Sequence, residues 1–211
     1  MPALPKKGDG MAVTHNPLSL CLTLVGIGGM MVAVYLIYFY GLVQKNPKKK
    51  EGINKGFALA IGVIGAITLL TTFQHILTEW AGFPAPHYTE LFSVTLAVFS
   101  ILMLMGSFAL YTGVDLRFVS YFAAIGGLVM FQAVRAVLSF DLTREPEVTA
   151  ALYTFAGLAG LSLLSVTHIP ETHRAHRWAR WIAAAFIVAM SLIALGLGLN
   201  AMYDHIASAV T

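Results

Sequence analysis

The sequence predicts an all-α membrane protein, a six-helix transmembrane bundle with the N- and C-termini both outside. Three observations predict it. Of the 211 residues, 58% are hydrophobic and only 11% charged, whereas a water-facing domain carries roughly a quarter charged residues. The apolar residues gather in six runs, near 17–43, 56–79, 90–111, 118–140, 148–168 and 178–203, each long enough to cross a hydrocarbon core of about 30 Å. Lysine and arginine crowd onto alternate connections between those runs.

Residues 1–16 form a polar N-terminal tail, and the run after them is longer than the apolar core of a signal peptide, so it reads as a span. This first span ends in an aromatic patch of Tyr35, Tyr38, Phe39 and Tyr40, and a lysine-rich connection over 44–55 follows. The second span repeats small residues at Ala58, Gly62 and Ala66, and a Gly-Phe-Pro-Ala-Pro stretch at 82–86 precedes the third. A tight turn over 112–117 leads to the fourth span, which has Gly126 and Gly127 midway. An acidic loop, 141–147, opens onto the fifth span with Ala156 and Gly160, and a His/Arg-rich loop, 168–180, onto the sixth. Residues 206–211 read as a C-terminal tail, so the bundle occupies 17–205. Lipid offers the backbone no hydrogen bonds, so each run should be helical. The small residues at four-residue spacing predict close helix packing inside the bundle.

Orientation follows from the loops. Lys45, Lys48, Lys49, Lys50, Lys55, Arg117, Arg174, Arg177 and Arg180 fall on one side, and Lys6, Lys7 and Arg144 on the other. Nine against three places the basic loops in the cytoplasm of a multi-pass cell-membrane protein. Tyr35, Tyr38, Tyr111, Tyr121, Trp178 and Trp181 then mark the inner interface, with Trp80, Tyr88, Tyr153 and Tyr203 at the outer one. Net charge +3 reports topology rather than nucleic-acid binding. The expected partner is the bilayer, with a homo-oligomer or the subunits of a membrane complex left open. The single Cys21 excludes an intrachain disulfide and reads as a core residue.

Charged and amide side chains inside or beside spans mark candidate sites, because burying them in lipid is costly without a partner. Here they share one level. His75 and Glu79 close the second span and Glu90 opens the third, with His87 just before it. Gln132 and Arg135 lie three apart on the fourth, and Asn200 and Asp204 four apart on the sixth, followed by His205. Helical spacing sets each pair on one face. If those faces turn inward, they form a polar pocket open to the outside, above a basic half that is dry and tightly packed. Three readings compete: a structural network in which Arg135 pairs with Glu90 or Glu79; a pathway for solutes, ions or protons; or a metal or haem site using His75, Glu79, His87, Asp204 and His205. Gln-His-x-x-x-Glu matches no tight metal signature.

In the basic loops, Lys48, Lys49 and Lys50, together with Arg174, Arg177 and Arg180 beside Trp178 and Trp181, suit anionic lipid headgroups. His168, His173 and His176 share that loop with one acidic neighbour, Glu171, so lipid contact outweighs metal binding there. There is no nucleophile triad, phosphate loop or Cys-x-x-Cys motif, which points away from catalysis.

Thr89-Glu90-Leu91-Phe92, Ala109 to Arg117 and Ser120-Tyr121 resemble a family of small multi-span prokaryotic membrane proteins of unknown function, archaeal and actinobacterial. The resemblance covers roughly 70–170 and implies a multi-span bundle with no assigned activity. Asn16-Pro17-Leu18-Ser19-Leu20 is similar to part of the motif that opens the acetate/succinate transporter family. The residues that follow in that family are not reproduced, and the comparable turn here comes after the third span rather than the second. The functional expectation is binding or translocation of a small solute or ion through the outward polar pocket. The alternatives are a metal- or haem-binding subunit of an oxidoreductase complex and a structural subunit of a membrane complex.

Overall fold

The computed structural model describes residues 17–77 and 86–210, with backbone alone at 17, 44, 45, 47, 86–89, 205 and 208–210. The helices are α1 (Pro17–Val34), α2 (Tyr40–Lys45), α3 (Pro47–Leu77), α4 (Pro86–Thr112), α5 (Arg117–Phe140), α6 (Pro146–His168) and α7 (Arg174–Val210). A π-helical turn, Tyr35–Phe39, joins α1 to α2 without a break in direction. Among the described residues, six helical stretches are long and apolar enough to cross a membrane: Leu18–Val43, Lys48–Leu77, Glu90–Thr112, Arg117–Phe140, Pro146–His168 and Arg174–Asp204. Helices α1, α3, α4 and α6 each open on proline, whose fixed φ and missing N–H suit the first turn.

The long helices close into a ring in chain order: α1, α3, α4, α5, α6 and α7, with α7 returning to α1. The α3–α4, α5–α6 and α1–α7 pairs pack most extensively, and the α4–α5 and α1–α3 seams least. Small residues explain the tight pairs. A Cβ on Gly127 of α5 would stand 2.7 Å from the Gly157 carbonyl oxygen of α6, so two bare backbones meet there. Between α3 and α4, Ser107 Oγ donates to the Ala58 carbonyl at 2.7 Å, and a Cβ on Gly62 would stand 2.5 Å from that hydroxyl, so the glycine makes room for the cross-helix bond. The outward faces are apolar, as Leu59, Leu70, Phe108 and Ile125 show by standing exposed. Faces of this composition suit hydrocarbon as solvent.

Helix extends further than the apolar runs. The lysine-rich segment 44–55, read as a connection, is helical on both sides of Asn46, and Lys55 pairs with Glu51 one turn back at 2.6 Å. Residues 206–210, read as a tail, continue α7. Hydropathy sees only the part of a helix that lipid covers, so polar turns beyond it escape notice. Tyr35 and Tyr153 also depart from the expected interfacial belts, since both are buried. Tyr35 donates to Asn54 Oδ1 at 2.9 Å, and Tyr153 shares a hydrogen bond with Thr95 Oγ1 at 3.2 Å.

Candidate binding cavity

The ring encloses a cavity of about 620 Å³, within the range of small-molecule sites. Along α4 its wall runs from Phe92 to Leu110, roughly 27 Å of helix axis at the α-helical rise. A lining that extends so far along the helices makes the space elongated rather than globular. Leu22, Leu96, Phe99, Met130, Leu152 and Leu163 represent its mainly apolar wall. The Thr95–Tyr153 bond ties α4 to α6 at the deep end. The cavity reaches the surface at the basic end of the molecule, where the lining residues Lys50, Asp115, Arg117, His168 and Glu171 are exposed.

Local structure assembles that mouth. At the π turn the Tyr40 N–H bonds to the Tyr35 carbonyl, five residues back, and such widened turns occur often at functional sites. Within the turn, the Leu36 carbonyl accepts from Arg180 Nη1 at 3.2 Å. The Arg180 guanidinium lies 4.7 Å from the centre of the Tyr40 ring, and the centre of the His176 ring lies 5.5 Å from it. The Tyr40 hydroxyl donates to Glu171 Oε1. Opposite, Thr167 Oγ1 donates to Ser120 Oγ at 2.7 Å, and His168 Nε2 meets the Tyr121 hydroxyl at 2.9 Å. Between α4 and α5, Gly113 takes φ +77°, a left-handed conformation open to glycine, and Asp115 Oδ1 accepts the Arg117 N–H at 2.9 Å. The stretch that carried the family resemblance therefore forms part of the rim.

The polar residues singled out at the opposite end are distributed differently. His75 is buried, with Nδ1 2.9 Å from Ser93 Oγ across the α3–α4 seam. Glu90, Gln132, Arg135, Asn200 and Asp204 are exposed, and Asp204 lies 3.7 Å from Arg144 rather than within a shared pocket. None of these six lines the large cavity. Glu79 and the side chains of His87 and His205 lie outside the described residues. Among the described residues no three His, Cys, Asp or Glu side chains gather at a metal-sized site.

The expectation of a dry, tightly packed basic half gives way to a cavity mouth in that half. Counting polar residues inside spans misses it, because its wall is apolar and its rim lies in the connections. The available signal was the aromatic patch ending the first span, together with His176 and Arg180 at i, i+4. Of the basic residues assigned to lipid headgroups, Lys48, Lys49, Lys50, Arg174 and Arg177 are exposed, whereas Arg180 is half-buried against α1 and Tyr40.

No curated protein matches the chain, and no solved structure does. A family of proteins of unknown function, DUF981, matches residues 11–208, which takes in all six long helices; the chain belongs to that family.

Proposed function

We propose that the protein binds an elongated apolar molecule, such as a lipid hydrocarbon chain, inside its helix ring. The supporting observation is the 620 Å³ apolar cavity that runs along the ring and opens at one end. A long, narrow, apolar space favours a chain, because each buried methylene contributes about 0.8 kcal/mol while few polar groups need partners. The distribution of lysine and arginine supports a mouth on the cytoplasmic side. The test is native mass spectrometry of protein purified in a neutral detergent, followed by extraction and identification of retained molecules. A chain-bearing ligand in stoichiometric amount is expected, and Gly106→Leu should reduce it sharply. Gly106 lines the cavity, and a Cβ there meets only Ile61 Cδ1, at 3.8 Å. If wild type and variant retain the same detergent alone, the reading is wrong.

Translocation of a small solute or ion past His75, Glu79 and Arg135 is a second reading, supported by one observation. His75 is a titratable side chain buried at 4% exposure inside an apolar bundle, and such residues in membranes are functional candidates. Proteoliposome flux that survives both His75→Ala and Glu79→Gln would remove this site assignment. A metal or haem subunit predicts metal in elemental analysis or an absorbance band from the pure protein, and a structural subunit predicts co-purifying chains.

A further inference from the structure

We propose that the cavity mouth holds an oxyanion subsite, made by His176 and Arg180 with Arg174 and Arg177, which takes the phosphate-class head group of a single-chain amphiphile. This rests on the chain-binding reading above and adds the chemistry of the head. Two buried nitrogen atoms carry the argument. His176 is 3% exposed, and among the described residues its Nε2 has no hydrogen-bond partner; Arg180 Nε is likewise buried without one. Leaving such groups open is costly, at about 1–3 kcal/mol each. Natural structures rarely keep them without a ligand or water to complete them.

The two side chains sit one turn apart on α7, so they present to the same side. His176 Nδ1 lies 3.0 Å from the Ile169 carbonyl, and a carbonyl only accepts. Nδ1 therefore holds the hydrogen, and Nε2 is the buried atom still without a partner among the described residues. Neutral, it accepts from a P–OH; protonated, it donates to a P–O⁻. Phosphate monoesters, whose second ionisation falls at about pH 6, supply both partners near neutrality. Arg180 Nε–H donates in either case, while its Nη1 and its guanidinium face stay engaged by Leu36 and Tyr40.

Continuity with the apolar cavity identifies an amphiphile. A shallow basin of about 430 Å³ is lined by Glu171, Thr172, His173, Arg174, His176, Arg177 and Arg180. Glu171 and His176 also line the large cavity, so the two spaces share a wall. Three arginines against one glutamate make the basin positive, and Glu171 is already engaged by the Tyr40 hydroxyl. The basin also lies at the first turns of α7, the positive end of its dipole. An apolar chain down the ring and an oxyanion at its rim would satisfy both spaces at once.

The test compares labelled hexadecyl phosphate, hexadecanol and inorganic phosphate binding to the full chain in a neutral glucoside detergent. Wild type should bind hexadecyl phosphate roughly tenfold or more tightly than hexadecanol, the worth of one charge-assisted hydrogen bond. His176→Phe keeps a ring beside Tyr40 but removes both nitrogens, and Arg180→Lys keeps the charge but loses Nε. Each should shrink the preference to about twofold. Arg180 does not line the chain cavity, so its substitution should leave hexadecanol binding unchanged, which doubles as the check on folding. If a variant loses both probes, the exposed Arg174→Gln and Arg177→Gln decide, and an unchanged preference in both overturns the subsite. Equal wild-type affinity for the two chain probes overturns the subsite and leaves chain binding standing. Failure of both probes overturns the two together. Inorganic phosphate binding as tightly as hexadecyl phosphate would make this a free-anion site and overturn the amphiphile.

Discussion

The two ends of the helix ring handle polar groups in opposite ways. Toward the end carrying Asp141 and Asp204, interior polarity is consumed pair by pair within helix seams. His75 meets Ser93, and Thr68 and Thr72 bond back to carbonyls of their own helix at 2.8 and 2.7 Å. Among the described residues, the remaining charges at that end stand on the surface, as Arg144 and Asp204 do. Toward the basic end, the polar groups rim an apolar cavity, and among the described residues His176 Nε2 and Arg180 Nε have no hydrogen-bond partner. A seam that satisfies its own groups has nothing left to offer a ligand. A rim with two such buried atoms beside an apolar cavity combines the two features on which the proposed binding rests.

Substitutions at glycines test this contrast most strongly. Gly127→Leu drives a side chain into the Gly157 backbone at the α5–α6 seam. It should lower the melting temperature sharply, with a cost at or above the roughly 1–3 kcal/mol typical of overpacking, as read by thermal unfolding in detergent. Gly106→Leu instead points the same side chain at the cavity, where there is room. It should leave the melting temperature near wild type yet weaken hexadecanol binding by about tenfold or more, since the methylenes it displaces contribute about 0.8 kcal/mol each. If the two variants behaved alike in both measurements, seam and cavity would not differ as described.

Smaller effects sharpen the comparison. His75→Ala removes the partner of the buried Ser93 hydroxyl. It should destabilise the fold by about 1–3 kcal/mol and leave chain binding at the basic end unaltered; a matching loss of binding would tie the two ends together. Asp204→Asn breaks a pair whose side chains are 94% and 64% exposed. Solvent screens such contacts almost completely, so denaturation curves of the variant should overlay those of the wild type.

Much of the architecture was legible in advance because membrane solvation acts on composition alone. The six runs, their helical state and the small residues of the packed pairs all follow from what lipid demands of a backbone and a side chain. Helix ends were legible only where apolarity stopped, so the polar turns of α3 around Lys48–Lys55 and of α7 beyond Asp204 were hidden. For the candidate site, the rule that polar residues in spans mark function led to His75, Gln132 and Arg135, none of which lines the cavity. A cavity is a property of how helices diverge, and no residue type signals it.

By itself, then, the sequence determined that the chain forms six long apolar helices with basic residues gathered at one end, since those features depend only on the order and polarity of the residues. Only the tertiary structure decided that the ring is open inside and that its mouth lies among the basic connections. The reason is geometric. Glycines let α5 meet α6, and α1 meet α7, at backbone distance, while α4–α5 and α1–α3 pack far less. Such uneven seams leave a space along the axis, and the π turn at Tyr35–Phe39 brings Tyr40 to His176 and Arg180 at its rim.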